Sequence, residues 1–206
     1  MKNICIIDYG LGNLASIYNA VRDLETSVYV TSEIKKIENC SHLILPGVGS
    51  YYEGVKGLQK RNLIESLNIE VLKKQKPFLG ICLGMQLLST NRDEGEKIGG
   101  LNWIEGKVVK INNSKGVKIP HMGWNNVKFK NDSVLFKKIK NEQSFYFVHS
   151  YHFIPKNKDL ISSSCDHGNK IVSSVEKENI FATQFHPEKS HDDGMQIIQN
   201  FIKFKC

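Results

Sequence analysis

Pro77-Phe78-Leu79-Gly80-Ile81-Cys82-Leu83-Gly84 decides the fold of this chain. Residues 77–81 form a short apolar run, the pattern of a strand buried on both faces. A cysteine then stands between Gly80 and Gly84, where the strand gives way to a helix carrying residues 85–88. The arrangement resembles a nucleophile elbow. A bulky side chain on either flank of so sharp a turn would clash with neighbouring elements. The turn exposes the sulfur beside a helix N-terminus and favours the thiolate. Taken alone, Cys82 could equally be a structural thiol in a tight turn.

Upstream, residues 2–7 read as a buried strand ending in the turn Asp8-Tyr9-Gly10, and residues 13–24 carry apolar side chains at amphipathic-helix spacing. Residues 27–31 and 42–45 are further strands, the latter stopped by Pro46-Gly47-Val48-Gly49, and helical patterns run on to Lys74 with a break near Arg61-Asn62. This alternation predicts a parallel sheet with helices on both faces. Beyond residue 95 the texture changes to short strand candidates at 107–111, 127–129, 145–148, 161–165, 171–175 and 181–185, then a terminal helix over 195–204. The predicted fold class is α/β: one domain over residues 1–206, a central mixed, mostly parallel sheet flanked by helices, with extra antiparallel strands in the second half.

A length of 206 residues, 40% hydrophobic and 24% charged, suits one globular domain. The net charge of +7 comes from dispersed lysines (pairs at 35–36, 73–74 and 137–138) that read as solvated helix faces, so no nucleic-acid partner is expected. No apolar run reaches the roughly 18 residues of a membrane span. The N-terminus enters a strand directly, and the expectation is a cytoplasmic chain without membrane contact. Five scattered cysteines without a Cys-x-x-Cys suggest neither a zinc knuckle nor disulfides. Cys5, Cys40 and Cys165 read as buried filler and Cys206 as a frayed end.

The second chemical segment is Gln184-Phe185-His186-Pro187-Glu188. If the strand before it continues, His186 and Glu188 share one face, and Pro187 keeps His186 extended. A carboxylate beside an imidazole fixes its tautomer and stabilises the imidazolium formed when a thiol proton is taken. The bland alternative is a pair of solvated loop residues. His149-x-x-His152 and His186-x-Glu188 match no familiar zinc spacing, so no metal is expected. The glycines of residues 46–49 could present N–H groups to an oxyanion, with the N–H of Leu83 as a second donor. Gly10-Leu11-Gly12-Asn13-Leu14-Ala15, with Glu33 some way on, also fits a dinucleotide fingerprint, but would leave the elbow and the His-x-Glu pair without a role.

Residues 80–86 with 184–188 resemble the class I (triad) glutamine amidotransferases. Residues 9–14, 45–49, 120–125, 146–151 and 186–190 resemble, within that family, the glutaminase subunits of imidazole glycerol phosphate synthases. The resemblance runs from residue 9 to the terminal helix and takes the glycine loop into its own pattern, so no cofactor is implied. It implies a heterodimer in which ammonia from L-glutamine passes unreleased to a (β/α)₈-barrel cyclase of histidine biosynthesis. By the same resemblance Cys82 is the nucleophile, His186 the base and Glu188 its orienting carboxylate. Val48, Gly49 and Leu83 hold the oxyanion; Gln86, His149, Ser150 and Tyr151 bind glutamine. Asn13, Met122, Trp124, Asn125 and Lys189 fall where the family meets the cyclase, with a core position as the alternative for Trp124. Ser50-Tyr51-Tyr52 departs from the expected small residue and phenylalanine. Two rival readings remain: the same chemistry serving another acceptor synthase, such as one that amidates a surface sugar, and a catalytically silent binding subunit.

Overall fold

The structure, a computed structural model, describes residues 2–24, 27–92, 98–113 and 116–205. The expectation for Cys206 lies outside the described residues. The chain begins β1 (Asn3–Ile7), α1 (Leu14–Arg22), β2 (Ser27–Thr31), α2 (Ile34–Asn39), β3 (His42–Gly47), α3 (Tyr51–Lys60), α4 (Leu63–Leu67), β4 (Phe78–Cys82) and α5 (Leu83–Gln86). Asn62, at φ 54°, separates α3 from α4, the predicted break, and α4 runs on into a π-helical stretch, Asn68–Lys73. The second half holds β5 (Asn91–Arg92), β6 (Gly106–Lys110), β7 (His121–Asn126), β8 (Lys128–Phe129), β9 (Ser144–His149), β10 (Tyr151–Pro155), β11 (Ile161–His167), β12 (Asn169–Lys177) and β13 (Ile180–Thr183). A 3₁₀ turn, Pro187–Lys189, and α6 (His191–Lys203) close it.

The main sheet has the order β2-β1-β3-β4-β13-β12-β11-β8. Strands from β2 to β13 pair in parallel, and β12, β11 and β8 continue antiparallel. Separate small sheets pair β7 with β9 and stack β10-β6-β5. Successive residues of β1 point to opposite faces. Ile4 and Ile6 join Ile17, Val21, Ile197 and Phe201 of α1 and α6, while Cys5 and Ile7 join Val55, Leu58 and Leu63 of α3 and α4. β3 and β4 are buried along their whole length, as central parallel strands covered on both sides must be. Among the described residues no helix is long and apolar enough to cross a membrane.

Among the elements that escaped the sequence reading are α2, β7 and β10. α2 buries only Ile37, too little for a periodic signal. β7, His-Met-Gly-Trp-Asn-Asn, has poor strand propensity, and pairing with β9 holds it in place. β10 was hidden by its closeness to β9, from which only Ser150 separates it. Of the predicted solvated lysines, Lys74 does more: it reaches the buried Glu70 carboxylate at 2.6 Å, which Lys76 also meets at 2.7 Å.

Candidate active site

The carboxyl ends of β3, β4 and β13 lie side by side, Gly47 opposite Cys82 and Thr183 opposite Ile81. Ligands bind at that edge of open α/β sheets. Cys82 takes φ 55°, ψ −104°, a conformation that side chains other than glycine rarely adopt. Its flanking glycines are sterically required. A Cβ on Gly84 would stand 1.8 Å from the Leu45 carbonyl oxygen, and one on Gly80 would stand 2.7 Å from the Gly84 carbonyl oxygen. The elbow therefore lies flat against β3, with the sulfur at the mouth of a pocket.

His186 follows the end of β13 on the side of the sulfur, and its backbone is tied down from two directions. Its N–H donates to the Tyr146 carbonyl at 2.9 Å, and its own carbonyl accepts from Ser190 Oγ at 2.6 Å. It is extended, at φ −98°, ψ 95°. The strand ends at Thr183, however, and Pro187 to Lys189 form a 3₁₀ turn. That turn, not strand alternation, brings Glu188 Oε1 to 2.8 Å from His186 Nδ1. Both side chains are buried, so the solvated-loop alternative does not hold. Among the described residues Nε2 has no hydrogen-bond partner. Burial pushes the His186 pKa down, but Cys82 and Glu188 outweigh it and raise it to about 10. The triad thus favours a proton on imidazole.

The pocket beside Cys82 encloses about 420 Å³ and is lined by Val48, Gly49, Leu83, Gln86, His149, Ser150 and Tyr151, together with Pro120 and Val148. It gathers every oxyanion and glutamine-binding candidate read from the sequence. Gly49 has φ +111° with open space on its Cβ side, and Val48 is exposed. Gln184, quoted in the motif but given no role there, donates from Nε2 to Cys82 Sγ at 3.5 Å. His121, within the quoted residues 120–125 but likewise given no role, lies behind His149, where the β7–β9 pairing places it. Neither residue has a local sequence signal, because their partners are far away in the chain.

The partner-face candidates separate. Met122 and Trp124 point outward from β7, 62% and 47% exposed, and Trp124 stacks on His191 at 4.7 Å. The core alternative for Trp124 fails; the core tryptophan is Trp103. Asn13 and Lys189 are exposed, Asn13 capping α1 through Ser16 N–H at 3.3 Å. Asn125 is half-buried on β7, and its Nδ2 donates to the Asp166 carbonyl at 2.8 Å. The departure at residues 50–52 packs without conflict. Ser50 caps α3, and buried Tyr51 places its hydroxyl 2.9 Å from Ser89 Oγ. In the glycine loop of residues 10–15 the Arg61 guanidinium lies against Gly10, where a Cβ would stand 2.9 Å from it. Among the described residues no group of His, Cys, Asp and Glu is arranged to hold a metal ion.

The family described as glutamine amidotransferase class-I matches residues 5–204. The chain belongs to that family. The "Imidazole glycerol phosphate synthase subunit HisH" of Pelagibacter ubique is 44% identical over 205 residues, covering 97% of this chain and 99% of that one. The "Imidazole glycerol phosphate synthase subunit HisH 1" of Methanococcus maripaludis is 45% identical over 203 residues, covering 97% and 98%. Among solved structures, "Structure of PurLQS from Thermotoga maritima" superposes with a TM-score of 0.74 at 20% identity over 98% of both chains, a likeness of fold alone.

Proposed function

We propose that residues 1–206 form a single glutaminase domain, the ammonia-producing subunit of an imidazole glycerol phosphate synthase in histidine biosynthesis. The observation that carries the chemistry is a pocket walled by Val48, Gly49 and Leu83 with Cys82 in its lining, and the Glu188-bound His186 interacting with that cysteine. The acceptor assignment rests on relatives more than 40% identical over nearly the full length of both chains. A family member feeding another acceptor would carry the same site, so the partner's identity decides between them.

In this mechanism Cys82 Sγ attacks the side-chain amide carbon of L-glutamine while His186 holds the thiol proton. N–H groups of Val48, Gly49 and Leu83 bind the oxyanion. The C–N bond breaks as His186 protonates the departing nitrogen, giving ammonia and a γ-glutamyl thioester. His186 then takes a proton from water, which attacks the thioester. The C–S bond breaks, and glutamate and the thiol are regenerated. Glu188 holds the imidazole in one orientation throughout.

The partner is a (β/α)₈-barrel cyclase that docks on the face bearing Met122, Trp124, Asn13 and Lys189, forming a cytoplasmic heterodimer. Exposed aromatic and methionine side chains on one strand face supply the anchors that such interfaces use. Trp124→Ala is expected to weaken partner affinity by about 30-fold or more, as an interface anchor does. Titration calorimetry checks it, with the melting temperature of the isolated chain unchanged.

Co-purification from the source cell followed by a glutaminase assay tests the whole reading. The expected result is a bound barrel synthase and slow glutamine hydrolysis by the chain alone, accelerated at least tenfold by partner and acceptor ligand together. Room for residues 48–49 to turn motivates the coupling. Full activity without a partner would refute the coupling, and a different bound synthase would reassign the acceptor. Glutamate production unchanged by loss of Cys82 would leave a silent binding subunit.

A further inference from the structure

Behind the pocket wall runs a line of polar groups that the triad chemistry does not use. Asn125 Nδ2, fixed by its bond to the Asp166 carbonyl, lies 3.1 Å from His121 Nε2. His121 Nδ1 lies 2.9 Å from His149 Nε2, and His149 Nδ1 lies 2.8 Å from the Tyr151 carbonyl oxygen. That same oxygen accepts from Gln86 Nε2 at 2.9 Å. Gln86 Nε2 also donates to Gln184 Oε1 at 3.1 Å, and Gln184 Nε2 donates to Cys82 Sγ. A continuous hydrogen-bonded line therefore joins β7 to the sulfur.

The direction of each bond follows from its ends. A carbonyl oxygen only accepts, so His149 Nδ1 carries the hydrogen. In a neutral ring its Nε2 is then the acceptor, and His121 Nδ1 must donate to it. His121 Nε2 accepts in turn from Asn125, whose amide the Asp166 carbonyl orients. Burial lowers both imidazole pKa values, to about 4 for His121 and about 3 for His149, so both rings are neutral at physiological pH. With both hydrogens of its Nε2 engaged, Gln86 has only Oε1 left to offer a ligand.

We propose that His121 is a positioning residue for the substrate. By donating to His149 Nε2 it reinforces the Nδ1–H form that the Tyr151 carbonyl selects, and His149 holds that carbonyl, which in turn orients the Gln86 and Gln184 amides around the pocket and the sulfur. This rests on the reading of that pocket as the glutamine site. The competing role is packing, since His121 is sandwiched between Phe147 at 4.6 Å and His167 at 4.1 Å. Two substitutions separate the roles. His121→Asn keeps an amide donor near the place of Nδ1 but removes the ring; His121→Phe keeps the ring and removes the donor.

Steady-state kinetics of the assembled synthase, with nitrogen-15 imidazole spectra of the isolated chain at neutral pH, provide the test. His121→Phe is expected to raise KM for glutamine about tenfold, the effect of one lost buried hydrogen bond, with kcat within about threefold of the original. His121→Asn should stay near the original KM. The spectra should show His149 protonated at Nδ1 alone, and a tautomer mixture in His121→Phe. The proposal is overturned if KM is unchanged in both variants, if His121→Asn is impaired as much as His121→Phe, or if His149 carries its hydrogen on Nε2. An unsubstituted synthase that did not hydrolyse glutamine would instead defeat the functional reading, and the spectra would still decide the tautomer.

Discussion

Replacing Cys82 by alanine is expected to lower glutamine hydrolysis by the partnered enzyme about 10⁴-fold or more, the scale on which loss of a covalent nucleophile acts. The reasoning is structural as well as chemical. The elbow backbone is set by Gly80 and Gly84 pressing on neighbouring carbonyls, not by the thiol, so the turn survives the substitution. The pocket walls at Gln86, His149, Ser150 and Tyr151 also stay in place, because Gln86 and His149 share the Tyr151 carbonyl and do not lean on the sulfur. Glutamine should therefore still bind, with a dissociation constant within about threefold of the original KM, while turnover vanishes. His186 offers a second readout. Its pKa is raised by the interactions with Cys82 and Glu188 against the downward pull of burial. Removing the sulfur removes the first-named of those favourable interactions, so the imidazole should lose its proton at lower pH in Cys82→Ala. Proton NMR of the ring, followed against pH, measures that shift. Unchanged turnover, or an imidazole that titrates as before, would contradict this account of the triad.

Gly84→Ala is expected to be the most damaging single-methyl change near the site. The new Cβ would lie 1.8 Å from the Leu45 carbonyl oxygen, an overlap with the backbone of a strand buried on both faces. No side-chain rotation relieves it. Either α5 moves off the sheet by an ångström or more, or β3 shifts and disturbs its pairing with β1 and β4. Overpacking of this kind costs about 3 kcal/mol or more. For a chain of this size that lowers the melting temperature by roughly 6–12 °C. Because α5 begins at Leu83 and carries Gln86, the same shift would displace the proposed oxyanion donor and a pocket wall. Turnover in the surviving folded fraction should drop about 100-fold, since misplacement by an ångström is enough to do so. Thermal unfolding by circular dichroism and a glutaminase assay on the refolded, partnered sample measure the two effects separately. A variant that melts within 2 °C of the original and keeps its turnover would show that the elbow is looser than these contacts imply.

Reading and structure agree where signals are local. The apolar run before Cys82 and the glycines around it announced a buried strand and a sharp turn, and the turn demands small residues because carbonyls lie against it. The proline after His186 announced an extended residue. Agreement fails where an outcome depends on distant segments. The pairing of His186 with Glu188 was anticipated, but the conformation behind it was not: strand alternation and a 3₁₀ turn can both bring residues two apart together, and the packing of Ser190 against Tyr146 selects the turn. β7 was invisible because its residues favour loops, and its partner strand begins 18 residues after it ends. Asn125 and Trp124 look alike in a polar stretch, yet strand alternation sends one inward and the other out.

From the order of its residues alone, then, this chain announces a parallel α/β layer, a sharp turn around Cys82, and a histidine and carboxylate held beside a proline. These are consequences of side-chain size, backbone freedom and hydrophobic period, which act within a few residues. Tertiary structure alone decided that β3, β4 and β13 end side by side and that Gln184 meets the sulfur. It also decided that His121 stands behind His149 and that Met122 and Trp124 share an exposed face. Those facts depend on strand order and register, and register is set by burying two hydrophobic faces of one sheet at once. A free energy distributed over the whole core is not written in any one stretch of sequence.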